Sequence, residues 1–230
     1  MAIEAILFDY NGVLIDDEPL HDEVWREVLE PLGITYNNEE YYGPLLGVPD
    51  YEFLRLVLER RDRTLTDEAK AALHEKKRVL FDRLVRTRPT GIPGVAEFVR
   101  DLAAHAPLGI VSGALRPEID LQLSRLGIAD CFRTIVAAGE YPKPKPDPAP
   151  YLIGREKLAA AVGRSFAPGS VIAVEDSTNG MNSGLSAGLG VLGLTLRIDR
   201  ERLAGCFAHV PDFTGVTYDQ LVAWRARSAR

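Results

Sequence analysis

The chain has 230 residues, 46% of them hydrophobic and 26% charged, which suffices for one large domain or for a core carrying a smaller inserted one. Its formal charge of -6, from 27 Lys and Arg against 33 Asp and Glu, argues against a sequence-independent nucleic-acid binder, which needs clustered cations. No window approaches the roughly 18 apolar residues of a membrane span, and the apolar run at Ile3 has no basic or cleavable leader before it; the expected location is the cytoplasm, with no membrane partner.

Ile3 to Phe8 is a short apolar run that stops at Asp9 and Gly12, as a buried parallel strand does. From Leu20 to Arg88 the apolar residues recur with helical spacing, as in Val24, Val28, Leu29 and again in Phe53, Leu54, Val57, Leu58. Thr66-Asp67-Glu68 is a helix start within that stretch. After Gly91-Ile92-Pro93-Gly94 the pattern alternates. Helices are predicted over Val95–His105, Arg116–Leu126, Asp147–Val162 and Asn179–Ala187. Strands are predicted over Leu108–Val111, Phe132–Ala137, Val171–Val174 and Val191–Leu196. The segment after Thr195 completes the core, with a last helix over Tyr218–Arg227. Cys131 and Cys206 are too few for a disulfide framework and too far apart for a metal knuckle; both are expected to be core thiols.

Strands alternating with helices imply an α/β fold, a doubly wound (Rossmann-like) parallel sheet with right-handed crossovers. The expected domains are a core of residues 1–17 and 89–230 and an all-helical insert of residues 18–88. In such sheets ligands bind beyond the carboxyl ends of the strands. The polar residues ending successive strands are Asp9, Ser112 and the pair Glu175-Asp176, so these groups are expected to meet at one rim.

Each group has a chemical and a plain structural reading. Asp9, in Phe8-Asp9-Tyr10-Asn11-Gly12, is either a nucleophile toward phosphorus or the cap of a turn. Ser112 is followed by Gly113 and Ala114, whose amides are candidates for holding a phosphate oxygen; otherwise the serine simply caps the next helix. Lys143 stands in a loop where five of the ten residues 141–150 are proline. That stiffness either presents an ammonium to a carboxylate and a phosphoryl group or makes a connector with solvated lysines. Adjacent carboxylates at Glu175 and Asp176 raise each other's pKa unless a cation intervenes, which favours a metal site, Mg²⁺ by its taste for carboxylate and water oxygen, over a capping pair.

In order and content these segments resemble the four motifs of the haloacid dehalogenase superfamily, in its subgroup of small sugar-phosphate phosphatases and β-phosphoglucomutase-like proteins. Asp9-x-Asn11-Gly12-Val13-Leu14, with Asp16-Asp17-Glu18-Pro19-Leu20-His21 after it, is similar to the first motif. Ser112 is similar to the second, Lys143-Pro-Lys-Pro-Asp147 to the third, and Glu175-Asp176-Ser177-x-x-Gly180 to the fourth. The resemblance implies a helical cap in the insert, a Mg²⁺ cofactor and a small phosphorylated metabolite as partner. It implies a nucleophile at Asp9, with Asp9, the backbone of Asn11, Asp176 and Glu175 around the metal. Ser112 and Lys143 would hold the phosphoryl group, and Lys145 is a second candidate whose spacing fits the motif less well. Substrate contacts are expected from Gly113, Ala114, His21 and Gly47, the last in the loop of residues 41–50 that resembles the cap specificity loop. A monomer or small homo-oligomer is expected.

One position departs from the pattern. Where the family carries its general acid and base, this chain has Asn11. An amide is nearly isosteric but moves no proton, and a positioned proton-transfer group is worth roughly 10²–10⁴-fold. Either the asparagine is an engineered block, or His21, Asp16 or Asp17 supplies the proton, or the protein binds phosphorylated ligands without turning them over. The loop of residues 41–50 holds no Lys or Arg to grip a second phosphate, which favours a monophosphate hydrolase over a phosphomutase.

Overall fold

In the computed structural model, residues 3–46, 48, 50–88 and 90–228 are described. The chain divides into two units, residues 1–16 with 90–230 and residues 17–89.

The first unit is built on a six-stranded sheet. β1 (Ala5–Phe8) is buried at every position, and its side chains alternate between two apolar layers. Ile6 and Phe8 belong to one, Ala5 and Leu7 to the other. A strand covered on both faces must be apolar throughout, which explains the unbroken run in the sequence. β2 (Leu108–Val111), β3 (Phe132–Val136), β4 (Val171–Glu175), β5 (Gly190–Leu194) and β6 (Ala208–Val210) complete the sheet in the order β3-β2-β1-β4-β5-β6, every pair parallel. Helices α5 (Val95–Ala103), α6 (Arg116–Leu126) and α9 (Tyr218–Ser228) supply Phe98, Ile119 and Leu221 to the layer of Ile6 and Phe8. Helices α7 (Ala149–Val162) and α8 (Thr178–Ser186) supply Tyr151, Leu158 and Met181 to the opposite layer. This is the doubly wound α/β architecture expected from the alternation of elements.

Several boundaries differ from the sequence expectation. The Asp147 carboxylate accepts from the Ala149 amide at 2.9 Å, so α7 starts after that turn. Ser177 Oγ accepts from the Gly180 amide at 3.0 Å and caps α8. β6 was not anticipated: three residues with a histidine in the middle carry too short a pattern to register as a strand. Cys206 is buried, but Cys131 is only partly so.

The second unit is all-helical: α1 (Glu18–Leu29), α2 (Asn38–Tyr42), α3 (Asp50–Glu59) and α4 (Asp67–Val85). Asn37 and Glu40 close a capping box at the start of α2, and Thr66 caps α4. Trp25, Tyr41, Phe53 and Val57 form its apolar centre. Trp25 lies face to face with Phe53 at 4.9 Å and donates its indole N–H to Asp50, so it is packing. Among the described residues no helix is long and apolar enough to cross a membrane.

Candidate active site

β1 and β4 are neighbours in the sheet although two strands, β2 and β3, separate them in chain order. That is the switch point of a doubly wound sheet, where a crevice opens beyond the strand ends. Asp9 follows β1, its amide donating to the Val174 carbonyl at 3.0 Å. Glu175 ends β4 and Asp176 follows it. The topology therefore delivers three carboxylates to one rim, and one oxygen from each lies within 4.8 Å of the others.

The turn after Asp9 is tight. The amides of Val13, Leu14 and Ile15 converge on the Tyr10 carbonyl at 2.8–3.3 Å. Gly12 adopts a φ of +75°, and a Cβ on it would strike the Asp176 carboxylate. Gly180 does the same for Glu175: a Cβ there would lie about 2 Å from its carboxylate oxygens. The first turn of α8 is thus packed directly against the buried Glu175 carboxylate.

One ammonium ties the cluster together. Lys145 Nζ lies 2.6 Å from Asp9 Oδ1, 2.6 Å from Glu175 Oε1 and 2.9 Å from the Val111 carbonyl at the end of β2. Burial alone would strip its proton, but Asp9 and Glu175 outweigh that and hold it above the usual lysine range. Burial, and the charges of Asp9 and Glu175, push the Asp176 carboxyl well above the ordinary aspartate value. Burial likewise raises Glu175, although Lys145 pulls the other way. Three carboxylates against one ammonium leave excess negative charge in a low-dielectric pocket, and a cation relieves it. The donors are all hard oxygens, the set Mg²⁺ prefers. Glu175 Oε1 already accepts from Lys145 and from Tyr151 Oη, each at 2.6 Å. Asp9 and Asp176 therefore have the freer oxygens.

The structure places the two lysines of the loop differently. Lys143, expected to meet the phosphoryl group, is 73% exposed and pairs with Asp147 at 4.0 Å, while Lys145 lies in the cluster. Lys-Pro-x-Pro occurs twice in succession, from 143 and from 145, and spacing alone cannot choose between the copies. The usable signal was that the second copy runs straight into α7.

Ser112 is buried beside the rim, its amide bonded to the Val136 carbonyl. Its Oγ accepts from the Ala114 amide at 3.0 Å, so that amide is not free for a ligand as the sequence suggested. Gly113 lies in the same turn, close to the Tyr141 hydroxyl. Asn11 is exposed at the head of its turn and bridges to Ile15. Asp16 is held by both arms of Arg197, which leaves it a poor stand-in base.

His21 sits on α1 in the helical unit. Its Nδ1 is 2.7 Å from Lys77 Nζ and its Nε2 is 3.6 Å from Asp17. Lys77, buried between His21 and Asp50, escaped the sequence reading: the loop of residues 41–50 holds no cation, but α4 brings one to it. A cavity of about 340 Å³ opens there, lined by Glu18, His21, Trp25, Tyr41, Asp50 and Phe53. Gly47 lies outside the described residues.

Known proteins resemble this chain closely. A family model described as haloacid dehalogenase-like hydrolase matches residues 3–188. A phosphorylated carbohydrates phosphatase of Thermotoga maritima is 31% identical over 188 residues, 81% of this chain and 82% of that protein. A β-phosphoglucomutase of Bacillus subtilis is 27% identical over 198 residues, 84% and 83% of the two chains. The crystal structure described as a putative β-phosphoglucomutase from Thermotoga maritima superposes with a TM-score of 0.71 at 30% identity, covering 90% of this chain and 94% of that one.

Proposed function

The chain belongs to the haloacid dehalogenase-like hydrolases, and from that premise we propose that it is a Mg²⁺-dependent phosphatase of small, sugar-phosphate-like metabolites whose turnover is slowed by Asn11. The observation that carries the proposal is the meeting of Asp9, Asp176 and the Lys145 ammonium at the switch point of the sheet. The substrate class follows the phosphatase relative, named for phosphorylated carbohydrates.

Asp9 presents its second carboxylate oxygen to phosphorus, since Oδ1 is held by Lys145. As the Asp9–O–P bond forms, the P–O bond to the sugar breaks and the sugar oxygen takes a proton from solvent, because Asn11 has none to give. Lys145 and the Ser112 hydroxyl hold the equatorial phosphoryl oxygens, where charge accumulates in the transition state. Asp9, Asp176 and the Asn11 carbonyl would hold Mg²⁺, which supplies charge neutralisation between nucleophile and phosphoryl group. Water then attacks phosphorus, the Asp9–O–P bond breaks, phosphate leaves and Asp9 is restored as a carboxylate. That second step needs a base to take the water proton. The absence of a carboxylate at position 11 makes it the slow one.

The test is phosphate release from a panel of sugar monophosphates with and without Mg²⁺, on this chain and on Asn11→Asp. No Mg²⁺-dependent release from either protein would overturn the proposal. A phosphomutase is the second reading, favoured by the β-phosphoglucomutase relatives. Product analysis on a hexose 1-phosphate separates the two: free phosphate means hydrolysis, an isomeric hexose phosphate means mutase.

A further inference from the structure

Tyr151 has no part in the chemistry above, yet it touches the centre of the cluster. It lies on α7, entirely buried, and its hydroxyl donates to Glu175 Oε1 at 2.6 Å. The same oxygen accepts from Lys145 at 2.6 Å, and Lys145 in turn reaches Asp9. The ammonium stands at the hydroxyl end of the Tyr151 ring, 3.4 Å from Oη and 4.8 Å from the ring centroid. Glu175 is fully buried, and its Oε1 is shared by Tyr151 and Lys145. We propose that Tyr151 is a positioning residue: through Glu175 and through its own hydroxyl it holds Lys145 in the orientation that meets the phosphoryl group.

The physical case rests on freedom of rotation. A lysine ammonium has three donors on a flexible four-carbon stem and no preferred plane. Its direction must be imposed by its acceptors. Here the acceptors are the Val111 carbonyl, which is fixed in the sheet, Asp9, which must move when it bonds phosphorus, Glu175 and, at a longer 3.4 Å, the Tyr151 hydroxyl itself. Glu175 can fix Lys145 only if its own carboxylate is fixed. Oε2 has a long contact, Ser177 Oγ at 3.4 Å, whereas Oε1 has the short one from Tyr151. Without the phenol, Oε1 keeps Lys145 as its one short partner, and the ammonium loses both the fixed end of the relay and its own contact with the hydroxyl. The phenol oxygen, 3.4 Å from Nζ, adds a direct contact to the ammonium.

Because Lys145 is taken, as proposed above, to meet the phosphoryl group, the test is built to separate failure of that role from failure of this one. Inorganic phosphate and Mg²⁺ are titrated separately by calorimetry into the whole chain, Tyr151→Phe, Lys145→Met and the double variant. A hydrogen bond to a charged group, once removed, predicts a loss of phosphate affinity of about tenfold for Tyr151→Phe, with Mg²⁺ affinity within about twofold of the parent. In the Lys145→Met background Tyr151→Phe should cost nothing further, since residues acting through one another are not additive. A purely structural tyrosine would lower affinity equally in both backgrounds, and that additivity overturns the proposal. So does an unchanged phosphate affinity in Tyr151→Phe beside a clear loss in Lys145→Met. If Lys145→Met itself binds phosphate normally, the assigned role of Lys145 falls and this inference with it. Melting curves accompany each titration. Should Tyr151→Phe not fold, Glu175→Gln breaks the same relay one link nearer Lys145 and is expected to lose phosphate affinity at least as strongly; an unchanged affinity there also overturns the proposal.

Discussion

Gly12 and Asp176 approach so closely that a Cβ on the glycine would lie 1.9 Å from Asp176 Oδ2. The turn that presents Asp9, the proposed nucleophile, is thus packed directly on the carboxylate proposed to share its metal. The φ of +75° at Gly12 adds strain to any side chain. Gly12→Ala should destabilise the protein by about 1–3 kcal/mol and weaken Mg²⁺ binding by displacing Asp176. Denaturant melts and metal titration check both. A variant with unchanged metal affinity would show that Asp176 does not need its present position.

Replacing Asn11 by Asp should raise Mg²⁺-dependent phosphate release by roughly 10²–10⁴-fold, the usual worth of a positioned proton-transfer group. The binding of inorganic phosphate should change far less, because the amide and the carboxylate occupy the same space. Rapid-quench measurement of the phosphorylated protein should show it accumulating in the parent and not in Asn11→Asp.

Lys145 and Lys143 should separate cleanly. Lys145→Ala leaves Glu175 buried without its counterion, and breaking such a pair costs about 3–5 kcal/mol. Phosphate release should fall to background. Lys143→Ala removes a side chain that is 73% exposed and should change neither melting temperature nor rate by more than the scatter of the assay. The opposite ranking would restore Lys143 as the functional lysine.

The raised carboxyl of Asp176 has a sign that can be checked. Burial, Asp9 and Glu175 favour its protonated form in the fold, so the folded state binds more protons than the unfolded one above the ordinary aspartate value. Stability from this group is greatest in acid and falls as the pH rises from that value toward the raised one. Mg²⁺ binds the deprotonated site, so its stabilisation should grow over the same interval. Melting curves with and without Mg²⁺ should therefore diverge as the pH rises through it. A Mg²⁺ effect independent of pH would argue that Asp176 is not a ligand.

The elements themselves were legible in the residues. Buried strands such as Ala5–Phe8 and Val171–Glu175 must be apolar on both faces, and amphipathic helices announce their period, so local chemistry was enough to read an alternating α/β core and a helical insert. The strand-end carboxylates could be named for the same reason: a polar group that abruptly ends an apolar run stands out. What the chain order could not decide was which of two chemically equivalent copies faces inward. Lys143 and Lys145 have the same type, the same proline neighbours and nearly the same spacing, and only the path of the loop over the ends of β1, β2 and β4 selects Lys145. Tyr151 and Lys77 were hidden for a related cause. Each looks like an ordinary helix residue until the partner helix or strand is in place, because a buried hydrogen bond between residues 24 or 56 positions apart leaves no periodic trace. Local patterns specify segments; the sheet order, which puts β4 beside β1, specifies the site.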